Sequence, residues 1–375
     1  MKVDKSKWGK KKLSACLQKF KTSEELQKRE YLESGLFPVI SQEKEFISGY
    51  SNRQELVNHI EKPIVIFGDH TRICKYIDFN FIIGADGVKV INPIDEIKSN
   101  YLFYYIKWSN IPSNGYSRHY KFLKAITIKI PPLPEQQSIA SELDSIQSLI
   151  TKYREQLNDY DNLAKSIFNE MFGDVVSNDK GWERKKLGDV CRIFGRIGFR
   201  GYTKNDFVYS ALEGCITLSP SNIDGFGMNY KKCSYISWFK YEQSPEIKIY
   251  DGDILIVKTG SSYGKCAIVS NLPHKATINP QFVVLKQITC DNIYLYRYLT
   301  TDFVQTQYDN FVGGAAIPTF SQAKLSKLLV SLPPLPLQQK FAARITAIEA
   351  QKDNVKQQIA DLQTLFDSRM QYYFD

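Results

Sequence analysis

One stretch of this chain occurs twice. Pro131-Pro132-Leu133-Pro134-Glu135-Gln136-Gln137 returns 202 positions later as Pro333-Pro334-Leu335-Pro336-Leu337-Gln338-Gln339, with six of the seven residues identical. Upstream, Trp8 followed by Lys11-Lys12-Leu13 returns as Trp182 followed by Lys185-Lys186-Leu187. Tyr101-Leu102-Phe103-Tyr104-Tyr105 is echoed by Tyr294-Leu295-Tyr296-Arg297-Tyr298. The offsets differ (174, 193 and 202), so insertions separate two copies of one unit. A chain of 375 residues built this way makes its core twice.

After each proline run the apolar residues fall into heptads. From Glu135 onward they stand at Ile139, Leu143, Ile146, Ile150, Tyr153, Leu157, Tyr160, Ala164, Ile167 and Met171, spaced 4 and 3 by turns. The second copy gives Phe341, Ile345, Ile348, Lys352, Val355, Ile359, Leu362, Phe366, Arg369 and Tyr373, broken only by Lys352 and Arg369. Neither stretch has a proline inside it, and Gly173 stands where the first should stop. Each predicts a helix of about 37–39 residues, roughly 55–58 Å long. Proline tolerates a first helical turn but not an interior, so the proline runs set the starts. A lone helix of this kind would leave its apolar stripe in water, and two with one register most simply pair with each other. Lys352 and Arg369 either weaken that pairing locally or face a partner.

Between the helices lie segments of another texture. Short β-branched and aromatic runs (Ile64 to Phe67, Phe79 to Ile83, Val88 to Ile91, Ile254 to Val257, Ala267 to Val269, Phe282 to Leu285) alternate with glycine, proline and asparagine. Tyr101 to Trp108 and Ile293 to Thr300 read as aromatic helices. The fold class is α+β, with too little βαβ alternation for a parallel nucleotide-binding sheet. The domain reading is 1–130 and 174–332 globular, 131–173 and 333–375 helical.

Charge follows the same division. The net charge is +9, distributed as +8 over residues 1–130, −4 over 131–173, +5 over 174–332 and 0 over 333–375. Positive charge in two separate places suits a polyanion touched twice. No apolar run is long enough to span a bilayer. The first twelve residues carry six lysines and no apolar core, unlike a secretory leader. Seven cysteines without a C-x-x-C pair argue against a disulfide framework or zinc ribbon, and for reduced thiols in a cytoplasm.

Several motifs resemble catalytic ones and lack an essential part. Gly260-Ser261-Ser262-Tyr263-Gly264-Lys265-Cys266 has three residues between its glycines where a phosphate loop has four, and Cys266 where magnesium needs a hydroxyl. Asn279-Pro280-Gln281-Phe282 departs by Gln281 from the Asn-Pro-Pro-aromatic motif of amino-methyltransferases. Asp251, Asp253 and Lys258 are wrongly spaced for a one-metal nuclease. His59, His70, His119 and His274 form no metal-binding pair. No metal site or catalytic constellation is expected.

Loops after matching strands carry residues of the kinds expected to contact DNA. In the first copy these are His70, Thr71, Arg72 and Lys75, with Tyr116, Arg118, His119 and Lys121 from a second loop. In the second they are Lys258, Ser261, Ser262, Tyr263 and Lys265, with Arg196 and Arg200 from a glycine-rich loop read as flexible. Arginine reads guanine edges with two hydrogen bonds, while lysine and serine hold phosphates.

Taken together, the two proline-led helices, Trp8/Trp182, Phe67-Gly68-Asp69-His70-Thr71-Arg72, Gly84-Ala85-Asp86-Gly87, Gly252-Asp253-Ile254-Leu255, Lys258-Thr259-Gly260 and Asn279-Pro280-Gln281-Phe282 resemble the specificity subunit of type I restriction-modification systems, over essentially the whole chain. The resemblance implies two target-recognition domains and a pair of antiparallel coiled-coil helices, as a pseudo-twofold repeat. Each domain would read half of a split double-stranded DNA target through the major groove, and the helices would set the spacer. It implies no cofactor in this chain. Modification subunits using S-adenosylmethionine would dock on it, and restriction subunits using ATP and magnesium would join through them. Because the first copy has Phe67 to Arg72 where the second has Val257 to Ser262, the target should be asymmetric. Three rivals are a reader for a combined restriction-modification enzyme, a coiled-coil scaffold with protein-binding ends, and a free-standing nuclease or methyltransferase, for which the sequence carries no metal or cofactor motif.

Overall fold

The computed structural model describes residues 3–109, 111, 112, 115, 117–312 and 317–375. They form two compact units, Met1–Glu155 with Lys356–Asp375, and Gln156–Val355. The long helices, Leu133–Phe172 and Leu335–Phe374, have 40 residues each, about 60 Å at 1.5 Å per residue. They exceed expectation because each takes in the leucine and the proline after it from its own motif, a proline in the first turn, where a missing amide costs nothing. The first ends at Gly173, whose φ of 76° and amide bond to the Asn169 carbonyl (2.8 Å) make a glycine stop.

In the first unit a three-stranded antiparallel sheet runs Cys74–Ile77, Ile64–Gly68, Val88–Ile91. A mixed sheet runs Gly49–Ser51, Phe37–Ile40, Phe81–Ile83, Val57–Asn58, its middle pair parallel. The second unit repeats both orders. Cys266–Ile268, Ile254–Val257 and Phe282–Lys286 stand for the first sheet, with Arg192–Gly195 added at its edge. Ser234–Ser237, Gly214–Leu218, Ala276–Ile278 and Lys248–Ile249 stand for the second, with Phe207–Val208 added and the same pair parallel. The duplication thus extends to strand order, in segments whose residues carry little trace of it.

The residues that do repeat fasten each globular part to its helix. In each unit a short strand pairs with the one leading into the long helix, Gly9–Lys12 with Thr127–Ile130 and Glu183–Lys186 with Leu329–Leu332. The aromatic helices are Ser99–Trp108 and Asn292–Leu299. Two tyrosines four apart on each are one helical turn apart on one face, and a strand offers carbonyls to one side at every second residue. The Tyr101 and Tyr105 hydroxyls accordingly donate to the carbonyls of Lys129 (2.9 Å) and Thr127 (3.2 Å). Tyr294 and Tyr298 do the same to Ser331 (2.7 Å) and Leu329 (3.2 Å). Each buried motif glutamine completes the joint. Gln136 donates to the carbonyls of Pro131 and Glu96 and accepts from the Lys98 amide, while Gln338 donates to Pro333 and accepts from the Asp291 amide. Trp8 and Trp182 donate from their indoles to Glu135 and the Phe172 carbonyl.

Within each unit the two long helices pack antiparallel along the expected seam. Ile139, Leu143, Ile146 and Ile150 are buried with Phe366, Met370 and Tyr373 in one core. Ala164, Phe341, Ile345 and Ile348 are buried in the other. Phe168 and Phe172 lie off the heptad and are buried all the same, because the last turns face the second aromatic helix, with the Phe172 ring 4.8 Å from Tyr294. Lys352 and Arg369 do not interrupt the packing. Lys352 pairs with Asp161 (2.7 Å) and Glu349 (3.3 Å), and Arg369 with Glu142 (2.6 Å). Among the described residues no helix is long and apolar enough to cross a membrane.

Candidate nucleic-acid interface

Ile64–Gly68 and its counterpart Ile254–Val257 each end in a hairpin turn, and the two turns occupy one backbone position. The Asp69 amide donates to Gly87 on the neighbouring strand connection, and the Lys258 amide to Gln281 (both 2.7 Å). The Asp69 carbonyl accepts from the His119 amide (2.8 Å), and the Lys258 carbonyl from the Phe320 amide (3.0 Å). Gly68 therefore answers to Val257 and Asp69 to Lys258, one residue away from the sequence pairing of Phe67 with Val257. An acid stands in one copy where a base stands in the other.

In the first turn the Arg72 amide bonds to the Gly68 carbonyl and Arg72 itself takes a φ of 61°. Its guanidinium, on an exposed residue, donates to the Ile111 carbonyl at 2.7 Å, which ties the turn to the second loop. Asp69 makes the other tie. It is buried, and its carboxylate accepts from the Tyr120 amide at 2.7 Å, opening the short helix Tyr120–Ala125. Exposed Arg118 and Lys121 are thereby brought beside the turn. Thr71 is exposed, with its hydroxyl donating to the Gln42 carbonyl, and half-buried His70 donates its amide to the Gln42 side chain.

The second turn is larger. Gly260 and Gly264 hold φ of 103° and 81°, and a side chain at Gly264 would meet Gln305 and Tyr308 at under 3 Å. The Gly260 amide donates to Pro318, Thr259 pairs with Thr319 with their hydroxyls 2.7 Å apart, and Tyr263 donates its hydroxyl to Asp309 (2.8 Å). Ser261 and Lys265 are exposed and Ser262 half-buried. Lys258 is half-buried, and burial lowers its ammonium pKa below the ordinary lysine value. The chain leaves this turn as the strand Cys266–Ile268 rather than as a helix, so the phosphate-loop likeness ends at the glycines. Four of its amides, on Gly260, Tyr263, Gly264 and Lys265, already serve bonds inside the protein. Asn279 shapes the neighbouring bend, its carboxamide accepting from the Gln281 amide (3.0 Å) and donating to the Gln281 side chain (2.9 Å).

Against known families, the type I restriction modification DNA specificity domain matches residues 5–159 and again residues 179–364. The chain belongs to this family. The specificity subunit of the EcoR124I/EcoR124II type I restriction enzyme of Escherichia coli is 27% identical over 177 residues, covering 44% of each chain. This chain thus spans less than half the length of that relative. The MjaIX specificity subunit of Methanocaldococcus jannaschii is 24% identical over 307 residues, covering 75% of this chain and 69% of its own. A crystal structure of the type I S subunit from M. genitalium shares the fold with a TM-score of 0.61 at 14% identity, over 99% of this chain and 97% of that one.

Within the two specificity domains, the structure separates residues the sequence grouped together. Arg72, Thr71, Arg118 and Lys121 lie on or beside the first turn, and Lys258, Ser261, Ser262, Tyr263 and Lys265 on the second. Tyr116 lies outside the described residues. Lys75 is buried, its ammonium on the Glu45 carbonyl, because it sits on the inward face of its strand. His119 is fully buried, with Nδ1 donating to the Asp69 carbonyl at 2.9 Å, and so serves the tie between the loops. Arg196 is buried over the Tyr202 ring, bonded to the Ile278 carbonyl and Thr277. Arg200 pairs with Glu246 at 3.3 Å. The glycine-rich loop is thus folded around its arginines, and a flexible cationic loop is not what the chain forms there. Asp69 and Gln42, which sequence reasoning passed over, hold the first turn. No sequence signal marked Asp69, because the sequence pairing set it opposite Thr259 and only the backbone bonds align it with Lys258. Among the described residues no group of three His, Cys, Asp or Glu is placed to hold a metal ion.

Proposed function

We propose that this chain is the DNA-reading subunit of a cytoplasmic type I restriction-modification complex, with each specificity domain reading one half of a split duplex target. One observation carries the reading: two hairpin turns at one backbone position, each set with exposed hydrogen-bonding side chains, differ in the residues they present. Arg72 at the end of one turn, and Lys258 with the Gly260–Gly264 segment in the other, give two unlike reading surfaces on one framework, so the target is asymmetric. The first surface comprises Arg72, Thr71, Arg118 and Lys121, and the second Lys258, Ser261, Ser262 and Lys265. Arginine there serves base edges, and lysine and serine the phosphates.

In this reading the chain carries out no bond-making step. Its residues select the site, and the paired helices set the gap between half-sites and receive the modification subunits. S-adenosylmethionine belongs to those subunits, and ATP and magnesium to restriction subunits joined through them. The Gly260–Cys266 turn, opening into a strand, is not built to cradle a nucleotide.

The test is methylation mapping in cells expressing this chain with its modification subunit. The expected result is a split motif with methylated adenines that disappears when this chain is removed. If a stable modification subunit methylates the same sites without it, the reading fails and a protein-binding scaffold takes its place.

A further inference from the structure

The seam of the paired helices carries four charges that apolar heptads do not need. In the second unit, Lys352 on the Leu335–Phe374 helix has a side chain only 9% exposed and meets Asp161 of the Leu133–Phe172 helix at 2.7 Å. Glu349 and Arg297 close the cluster, with Arg297 on Glu349 at 2.6 Å and Lys352 on Glu349 at 3.3 Å. In the first unit Arg369 meets Glu142 at 2.6 Å, and Glu142 also accepts the Tyr373 hydroxyl. Of the two pairs that cross between the helices, both acids, Glu142 and Asp161, lie on the first helix and both bases, Lys352 and Arg369, on the second.

The duplication shows what any other pairing would bring together. Displacement by 202 residues carries Lys352 onto Ile150, Arg369 onto Ile167, Asp161 onto Gln363 and Glu142 onto Arg344. Were the first helix to pair with a copy of itself in the same register, Glu142 would face Ile167 and Asp161 would face Ile150, leaving carboxylates against aliphatic side chains. Were the second to pair with itself, Arg369 would face Arg344 and Lys352 would face Gln363. Losing the facing partner is unfavourable for the nearly buried Lys352 and the partly buried Glu142 and Arg369, less so for the half-exposed Asp161, and like charges opposed are worse. Lys352 would keep Glu349 of its own helix in any pairing, but only the unlike pairing gives each of the four an opposite charge on the facing helix. The apolar seam positions cannot discriminate in this way, since nearly all are large and apolar in both helices.

We propose that Glu142, Asp161, Lys352 and Arg369 form a pairing code that admits the unlike helix and rejects a second copy of the same one. The partner that fits each seam is therefore a helix of the opposite kind, from this chain or from another chain carrying the matching charges. The code makes the assembly hold one recognition domain of each kind, which two interchangeable apolar seams would not ensure. This inference concerns the helices alone and does not depend on what the turns read.

The experiment uses three full-length variants. One carries Glu142→Arg and Asp161→Lys, a second carries Lys352→Glu and Arg369→Glu, and a third carries all four changes. Each of the first two sets like charges against each other along its own seam, and its melting temperature should fall by about 4–8 °C. The fourfold variant restores opposite charges and should recover most of that loss as a monomer. Unfolded together and refolded as an equimolar mixture, the first two should form a one-to-one heterodimer by light scattering, because each then supplies the seam the other lacks. Recovery in the fourfold variant separates the code from simple loss of packing. If the two double variants melt with the wild type, or if the fourfold variant melts no higher than they do, the seam charges do not select the partner. A mixture that yields homodimers as readily as the heterodimer overturns the proposal equally.

Discussion

Arg72 and Lys258 present the same kind of charge from different places in equivalent hairpins. Arg72 sits at the far end of its turn, in a left-handed conformation and held to the Ile111 carbonyl, while Lys258 sits at the strand end where Asp69 stands in the other copy. Replacing Arg72 by alanine should cost roughly 1–3 kcal/mol of discrimination for the half-site that its own domain reads, while Lys258→Ala should weaken binding about equally whatever the sequence of its half-site. The circular dichroism of the helices should stay unchanged. Wild-type affinity for the cognate site in both variants would remove the turns from the interface. Lys258 adds a pH signature. Burial lowers its pKa, and a phosphate favours the charged form, so binding is strongest below that lowered pKa and weakens as pH rises through it. In Lys258→Arg, whose guanidinium stays charged, affinity measured across the same alkaline range should hold nearly level. An equal fall in both proteins would show that Lys258 meets no phosphate. The sequence showed cations near these turns, yet it could not tell a loop that displays its arginine from one folded around it. Arg196, Lys75 and His119 are buried for reasons set by strands far away in sequence.

The elements most legible in the sequence were those whose periodicity does structural work over many residues. The long helices could be read to within a few residues because forty positions repeat one spacing. The exceptions, Phe168 and Phe172, answer to the neighbouring aromatic helix, and no heptad could show that. The repeated Gln136 and Gln338 were visible as a motif, but their role became plain only once Pro131 and Pro333, the long helix and the aromatic helix met. Gln136→Ala would leave the Lys98 amide and two carbonyls without a partner, and should lower stability by about 1–3 kcal/mol in thermal or denaturant unfolding. Gln338→Ala should behave alike. No loss in either would mean that the glutamine is incidental to the joint. Function at this scale is tested by length. Removing one heptad from each long helix, about 10 Å, should shorten the preferred gap between half-sites by about three base pairs at 3.4 Å each. An unchanged gap would deny the helices their part in setting the spacer. The strand order of the two mixed sheets was not legible, since strands such as Val57–Asn58 and Lys248–Ile249 are too short to carry a pattern.

For the molecule as a whole, the sequence showed two basic regions separated by an acidic helix, and the exposed cations of the two turns belong one set to each region. If both sets meet phosphates, the affinity for duplex DNA should fall steeply with salt, the logarithmic slope changing by roughly 0.9 for each phosphate neutralised. A nearly flat dependence would instead favour a scaffold that binds proteins.

The joint between each recognition domain and its helix has a consequence of another kind. Tyr101, Tyr105, Tyr294 and Tyr298 all donate to main-chain carbonyls, and Gln136 and Gln338 bond main-chain groups alone. A fastening addressed to the backbone takes no account of which side chains the fastened segment carries. The stretch from Leu13 to Ile126, or from Leu187 to Leu328, could be exchanged for a foreign one that keeps the entering strand, the aromatic helix and the leaving strand. On the proposed function, inheritance could then exchange what one domain reads while leaving the other domain and both helices untouched, and a new specificity would need only a recombination event with its breakpoints in those two strands.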